Sequence, residues 1–140
     1  MNGYGKDAEY SCGAVLFSEE GGVRRYVIVT EAAGHCSLVK GHMEEGESER
    51  ETALREIGEE VGLRGVEFLP GFEERVSFPL ARGAIKHIVF FLARCDGQEL
   101  HPREGEILAA RLLPYAEAHR ALQSFPAVCG VLDKAEAFLG

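Results

Sequence analysis

Short apolar runs alternate with clusters of Gly, Glu and Ser in the first forty residues, and this pattern predicts strands rather than long helices. Two runs rich in β-branched and aromatic residues, at 11–17 and 25–30, flank the sequence Ser-Glu-Glu-Gly-Gly at 18–22. That composition is typical of a turn, so the two runs predict a β-hairpin. A shorter extended piece is predicted at 37–39, after a loop around 33–35.

A helical pattern follows at about 48–61, after a loop rich in Gly and Glu. Ser48 and Glu51 have the spacing of a capping box, which predicts the start of the helix. Gly62 lies directly after the last apolar position of the pattern, which predicts its end. The sequence therefore predicts one well-delimited helix in the first half of the chain.

The second half predicts more strands and then two helices. The strands are expected at 66–78, 85–94 and 107–113, with a turn at 81–83 between the first two. Pro114 suits the first turn of a short helix over 115–122. After Pro126, apolar residues recur at helical spacing and predict a terminal helix with one buried face, made of Val128, Val131, Leu132, Ala135 and Leu139. This order of elements predicts an α/β fold, a mixed β-sheet sandwiched between α-helices (α/β/α).

Length and charge narrow the possible functions. A chain of 140 residues that is 46% hydrophobic is long enough for one buried core, so we expect a single domain over 1–140. The net charge of -8 disfavours a protein that binds long nucleic acid by neutralising phosphates. Most of that charge lies in residues 41–60, which contain eight Glu and only two Arg. An acidic protein that handles phosphate must obtain positive charge elsewhere, and divalent metal is the usual source.

The cysteines and the N-terminal segment indicate the cellular compartment in which the protein is expected. Cys12, Cys36, Cys95 and Cys129 have none of the paired spacings of a zinc site, so we expect free, buried thiols and a reducing environment. No N-terminal segment resembles a signal peptide, and no apolar run is long enough to span a bilayer. The sequence thus predicts a cytoplasmic protein with no membrane partner.

The predicted first helix carries an unusual cluster of carboxylates. At 100° per residue, Glu56, Glu59 and Glu60 share an arc of roughly 100°. An apolar stripe is predicted beside this arc, made of Ala53, Leu54, Ile57 and Val61. Like charges at three- and four-residue spacing repel, and a Mg²⁺ or Mn²⁺ ion bound by the carboxylates would offset that cost. The alternative is a solvated helix face, as most Glu-rich helices have.

The residues around the cluster favour the functional interpretation. Residues 41–63 match the pattern G-x5-E-x7-R-E-U-x-E-E-x-G-U, where U is apolar. This pattern is the Nudix box, and the chain therefore resembles the Nudix hydrolases, which cleave a nucleoside diphosphate linked to a further group. The resemblance implies the Nudix fold and attack of a metal-bound water on a phosphoanhydride. The chain contains no G-x-S-x-G or P-loop motif.

The resemblance also assigns roles within the box. It implies a metal site formed by the carbonyl of Gly41 and the carboxylates of Glu56, Glu59 and Glu60. Arg55 and Glu47 match a pair that braces the loop against the helix, so that Arg55 serves catalysis by orienting the ligands. Gly62 matches the structural glycine at the end of the box. Glu59 also fits the position of a general base.

Outside the box, the chain is most similar to the animal-type asymmetrical diadenosine tetraphosphate hydrolases, over residues 10–139. The similarity is carried by four segments, which are 12–17, His35, 40–42 and 71–72, together with the closing helices. It implies that His35 and Lys40 contact phosphate and that Phe78 stacks on adenine. Glu106 matches a distal glutamate that completes the metal site or acts as the base, so Glu59 and Glu106 both remain candidates for that role. His35 equally fits a plain loop residue, and Phe78 a core aromatic.

Two departures from that family bear on the substrate. Residues 36–39 are Cys-Ser-Leu-Val where the family usually has an aromatic and two prolines, and Phe78 replaces a tyrosine. The expected reaction remains Mg²⁺-dependent hydrolysis of a nucleoside polyphosphate, with diadenosine tetraphosphate split into ATP and AMP as the favoured case. The alternatives are hydrolysis of a nucleoside triphosphate or of an RNA 5′-pyrophosphate end, and a non-catalytic Nudix-fold module that senses a nucleotide.

Overall fold

The computed structural model describes residues 7–140, which form one mixed β-sheet and three α-helices. The strands are β1 Ala8–Ser18, β2 Arg25–Glu31, β3 Cys36–Ser37, β4 Val39–His42, β5 Glu67–Phe68, β6 Glu74–Pro79, β7 Ile85–Arg94 and β8 Ile107–Pro114. The helices are α1 Glu49–Val61, α2 Tyr115–Leu122 and α3 Pro126–Leu139. The predicted α/β architecture and its three helices are confirmed.

Strand β1 organises the sheet. It runs parallel to β7 from Ala8, opposite Ile85, to Phe17, opposite Arg94. On its other side it runs antiparallel to β4, and β2 pairs with β3 and β8. The predicted hairpin of β1 and β2 is confirmed only next to its turn, where two residue pairs face each other. Farther from the turn, β1 pairs with β4 instead of β2. The loop between β4 and α1 therefore begins beside this central strand.

The single strand predicted at 66–78 is wrong. Two short strands, β5 and β6, occupy this stretch, and both pair antiparallel with β7. The chain turns between them at Pro70 and Gly71, whose φ of 89° suits glycine. Proline also lacks the N–H that a continuous ladder would need. Phe72, which made the stretch resemble a strand, is instead buried against Phe138 on α3.

The two faces of the sheet carry two separate cores, because successive side chains of a strand point to opposite faces. Cys12, Ala14 and Leu16 of β1 pack on the side of α1. Val15 and Phe17 pack on the side of α2 and α3. The sheet is therefore covered by helices on both faces, as predicted. All four cysteines are free, and Cys36 alone among them is only half-buried.

Helix α1 has the predicted ends but not the predicted buried face. The Ser48 hydroxyl accepts a hydrogen bond from the Glu51 N–H, the Glu51 carboxylate accepts one from the Ser48 N–H, and Gly62 ends the helix at φ 71°. Leu54, predicted on the apolar stripe, is exposed, and Thr52 and Glu56 are buried. The face that packs on the sheet therefore includes part of the acidic arc instead of lying beside it. None of the helices in residues 7–140 has the length and apolar character needed to cross a membrane.

Candidate active site beside the first helix

Arg55 of α1 is the centre of a hydrogen-bond network that joins the helix to the loop before it. Its Nε and Nη2 atoms donate to the two Glu47 carboxylate oxygens at 2.6 and 3.0 Å, a bidentate arrangement. Nη2 also donates to the His42 carbonyl at 2.9 Å. Nη1 donates to Glu56 at 2.8 Å and to Glu59 at 3.2 Å. One side chain thus fixes the loop and two of the predicted metal ligands.

Glu47 is held from both sides of the loop. Besides Arg55, its carboxylate accepts hydrogen bonds from the Thr52 hydroxyl at 2.8 Å and from the Glu44 N–H at 3.0 Å. These donors, chiefly Arg55, lower the pKa of Glu47 to about 2. The carboxylate is therefore ionised at neutral pH, which is the state that braces the loop. Gly62, the other structural position of the box, lies at the far end of the helix against His101.

Gly41 of β4 lies directly against the carboxyl group of Glu56. A Cβ atom built at position 41 would overlap the Glu56 carboxyl carbon and both of its oxygens. Only glycine permits this approach without moving the glutamate. The sequence pattern thus requires Gly41 for a reason that is visible in the packing. Burial raises the pKa of Glu56 even though Arg55 donates to it.

Glu60 is the second carboxylate that α1 turns toward the sheet. Burial, and next the charge of Glu56, raise its pKa to about 8, although the backbone N–H of Lys40 donates to it. Two carboxylates whose pKa values are both raised by burial form a site for a cation, because a divalent ion would stabilise both in the ionised form. The donors are all oxygens, which suits Mg²⁺ or Mn²⁺. The residues present therefore fit the predicted metal.

Glu59 is the third carboxylate of the predicted metal site, and its side chain is more exposed than that of Glu56. Its side chain is 42% exposed and lies 3.2 Å from Arg55 and 3.4 Å from Arg103. Arg103 also lies 3.5 Å from Glu106, whose carboxylate is exposed. The structure thus brings both candidate bases, Glu59 and Glu106, to the same arginine. The sequence analysis missed Arg103, which is 44 residues from Glu59 and belongs to no motif.

The loop that carries His35 contacts the same region. Glu31, at the end of β2, lies 2.9 Å from His35 Nε2 and 3.4 Å from Lys40 Nζ. The Ala32 N–H donates to the Glu106 carbonyl, which fixes this loop beside Glu106. The two predicted phosphate contacts therefore share one carboxylate partner. Glu31 was also missed, because it follows an ordinary strand pattern.

A second lysine lies close to Lys40. Lys86 of β7 has a side chain that is only 11% exposed, and its Nζ lies 3.2 Å from a Glu9 carboxylate oxygen. Burial, and next the charge of Lys40, lower the pKa of Lys86 to about 8. The charges of both lysines also lower the pKa of His42, after burial. Lys86 lies within the strand predicted at 85–94 and received no role from the sequence, because only the pairing of β1 with both β4 and β7 brings it near Lys40.

Phe78 of β6 lies directly opposite Lys86 of β7, on the same face of the sheet. Its half-buried ring packs edge-on against Phe125, with ring centres 5.3 Å apart. Ser11 of β1 is 3% exposed, and its hydroxyl has no hydrogen-bond partner among the described residues. Phe78, Lys86 and the unpaired Ser11 hydroxyl therefore lie on the face of the sheet that α2 and α3 cover. Lys40, on β4, links this face to α1, because its backbone N–H donates to the Glu60 carboxylate.

The sequence model of the NUDIX domain family matches residues 9–129 of this chain. A curated relative, the asymmetrical bis(5′-nucleosyl)-tetraphosphatase of Rattus norvegicus, is 28% identical over 146 residues, covering 92% of this chain and 94% of that protein. A crystal structure of a C. elegans Ap4A hydrolase binary complex superposes with a TM-score of 0.85 at 20% identity, covering 94% of this chain and 97% of that one. The NUDIX domain of Shewanella oneidensis NrtR, complexed with ADP ribose, superposes with a TM-score of 0.77 at 20% identity, over 96% of this chain and 90% of that one.

Proposed function

The chain belongs to the NUDIX domain family and is a NUDIX hydrolase, and from that premise we propose that it splits diadenosine tetraphosphate into ATP and AMP with a divalent cation. One observation carries this proposal. The Glu60 carboxylate, which lies beside Glu56, accepts a hydrogen bond from the backbone N–H of Lys40, and the charge of Lys40 acts on both Glu60 and Lys86. Carboxylates that suit a cation and lysines that suit phosphate are thus adjacent, as phosphoanhydride cleavage requires.

We assign the cation, Mg²⁺ or Mn²⁺, to the carboxylates of Glu56 and Glu60, with Glu59 and the Gly41 carbonyl as further oxygen donors. When bound, such a cation lowers the pKa of a water molecule and neutralises charge on the phosphates. Arg55 acts on the reaction through the ligands, because its guanidinium holds Glu56 and ties the loop to α1 through Glu47.

Lys40 and Lys86 are proposed to bind the polyphosphate chain. In the free protein they pair with Glu31 and Glu9. Phosphate oxygens would replace these carboxylates as partners, and His35 would follow Lys40 because both contact Glu31. Proton transfer from water is assigned to Glu59 or Glu106, which both contact Arg103 and are both open to solvent.

The choice of diadenosine tetraphosphate rests on two further points. The curated relative from rat carries that activity in its name, and its alignment extends over nearly the whole of both chains. Phe78 lies opposite Lys86, so an adenine stacked on the ring would place its phosphates near the lysine. A long substrate with a nucleoside at each end suits such a combination of ring and cations.

The experiment is a substrate panel in Mg²⁺ with chromatographic identification of products. The panel contains diadenosine tetraphosphate, ADP-ribose, a nucleoside triphosphate and RNA with a 5′-triphosphate. Equal amounts of ATP and AMP from the first substrate, with slower turnover of the others, are expected. Faster turnover of ADP-ribose, the triphosphate or the RNA end would overturn the substrate assignment. Nucleotide binding without turnover of any member would instead identify a sensing module.

A further inference from the structure

A cluster of three different ligand types lies on α2 and α3, outside the candidate active site. His119 Nδ1 is 2.7 Å from Asp133 Oδ1 and 3.4 Å from Cys129 Sγ. One ligand atom from each of these side chains lies within 4.8 Å of the other two. No other group of His, Cys, Asp and Glu in residues 7–140 gathers three ligand atoms this closely.

We propose that His119, Cys129 and Asp133 form a binding site for one zinc-type divalent cation. Thiolate sulfur, imidazole nitrogen and carboxylate oxygen are the ligands that Zn²⁺ takes in proteins. A hard cation such as Mg²⁺ prefers oxygen alone, so this donor set differs in kind from that of Glu56 and Glu60. The two sites would therefore select different metals.

The distances from His119 Nδ1 to the other two ligand atoms are near those of a tetrahedral zinc site. Bond lengths of ~2.3 Å to sulfur and ~2.05 Å to nitrogen or oxygen imply separations of about 3.5 Å between S and N and about 3.3 Å between N and O. Cys129 and His119, at 3.4 Å, already satisfy the first value. Asp133, at 2.7 Å from His119, must move by roughly 0.6 Å as a cation replaces their hydrogen bond.

The cluster is open to solvent on one side and supported on the other. The side chains of His119 and Asp133 are 37% and 41% exposed, whereas Cys129 is buried. A cation can thus enter from solvent and keep a water as its fourth ligand. The Tyr115 hydroxyl donates to Asp133 Oδ1 at 2.6 Å. Such a contact orients a carboxylate ligand and strengthens a metal site.

Cation binding would cross-link two helices that are otherwise joined by packing and by the hydrogen bonds of Tyr115 and His119 to Asp133. His119 lies near the end of α2, and Cys129 and Asp133 lie one turn apart near the start of α3. On binding, the Cys129 thiol becomes a thiolate, and its proton passes to water. The resulting cross-link would stabilise the connection between α2 and α3 at 123–125.

The test is a Co²⁺ titration of the full chain after treatment with EDTA and dialysis into buffer with excess Mg²⁺, which competes for the all-oxygen site. One equivalent of Co²⁺ should produce a thiolate-to-cobalt charge-transfer band in the near ultraviolet, and Zn²⁺ should displace the Co²⁺ and remove the band. Thermal unfolding monitored by circular dichroism should shift upward with Zn²⁺.

Variants then assign the band to this cluster. Cys129→Ser should lose the band, whereas the matched control Cys36→Ser, which alters a thiol on β3, should keep it. Tyr115→Phe should weaken Co²⁺ binding roughly tenfold, because it removes only the support of Asp133. Circular dichroism checks that each variant is folded, and His119→Gln offers a second ligand variant on the other helix.

Two results would overturn the proposal. One is the absence of a charge-transfer band at equimolar Co²⁺ in the unmodified protein. The other is a band that survives in both Cys129→Ser and His119→Gln. Neither result bears on the proposed hydrolase activity, since the cluster shares no residue with that site.

Discussion

The carboxylate part and the cationic part of the candidate active site are built in opposite ways. The carboxylates lie on one helix, and Arg55 fixes two of them to the loop directly before it. The cationic part consists of Lys40 on β4 and Lys86 on β7, together with the aromatic ring of Phe78 on β6. One part is thus local in sequence and rigidly bonded, and the other exists only through the strand order of the sheet.

The two parts also differ in how firmly their charged groups are held by their partners. The bidentate contact of Arg55 with Glu47 is a strong one and holds the loop in one position. Lys40 and Lys86 instead make single contacts of 3.4 and 3.2 Å with Glu31 and Glu9. An arriving phosphate can take the place of these carboxylates, because it offers each lysine an equivalent charged oxygen acceptor. We infer that the carboxylate part holds the reacting groups in fixed positions, whereas the part with the two lysines adapts to the substrate.

The largest effect is expected from Glu60→Gln, which attacks the local part. Loss of a charged metal ligand should lower kcat by roughly 100- to 1,000-fold, because the cation is held less well where charge develops. Steady-state kinetics with diadenosine tetraphosphate in Mg²⁺ measure this loss. Glu51→Gln, on the same helix, is the matched control, since glutamine also completes a capping box and activity should be unchanged. Near-normal activity of Glu60→Gln would contradict its role as a ligand.

Gly41→Ala tests whether the close approach of β4 to the helix matters. The added methyl group would overlap the Glu56 carboxyl group, so that side chain must move. We expect kcat to fall by roughly 10- to 100-fold while the folded state persists, because a displaced ligand resembles the loss of a supporting contact. Gly58→Ala on α1 is the control, since its methyl group would meet mainly the flexible end of Arg64. Equal activity of the two variants would show that Glu56 need not occupy its present position.

The same division explains how much of the molecule the sequence predicts. Ser48, Arg55 and Gly62 could be placed from sequence because their partners lie within a few turns of the same helix or in the adjoining loop. Leu54 was misplaced because helical periodicity locates an apolar stripe but not the edge of the surface that packs on it. Lys86 could not be found, since its relation to Lys40 depends on β1 pairing with two strands that are distant in sequence.

Lys86→Gln tests the nonlocal part. Removing one phosphate contact should raise KM for diadenosine tetraphosphate roughly tenfold with little change in kcat, as expected for a contact made equally in the ground and transition states. Lys134→Gln is the control, because Lys134 is exposed and pairs with Glu74 across the surface. A fall in kcat with unchanged KM would place Lys86 in the chemical step and remove the distinction between the two parts.

The last effect is on stability rather than on activity, and it depends on pH through Glu60. The pKa of Glu60 is raised from 4.5 in the unfolded chain to about 8 in the folded protein. The folded state therefore favours the protonated carboxyl, and the stability that this provides is complete below pH 4.5 and is lost as the pH rises to about 8. In EDTA, urea unfolding followed by circular dichroism should show the free energy of unfolding of wild type falling relative to that of Glu60→Gln by about 1 kcal/mol per pH unit between pH 4.5 and pH 8.

The difference between wild type and Glu60→Gln reports the contribution of the Glu60 carboxyl group alone, because the other titrating groups are present in both proteins. Glu47, with a pKa of about 2, acts below this window, and Lys86, with a pKa of about 8, acts mainly above it. His42, whose pKa is lowered by burial, titrates equally in both proteins and cancels. Saturating Mg²⁺ should abolish the difference at pH 8, because a cation stabilises the ionised carboxylate that burial disfavours. If Mg²⁺ stabilised both proteins equally at that pH, the cation would not be bound by Glu60, and the local part of the site would need another ligand.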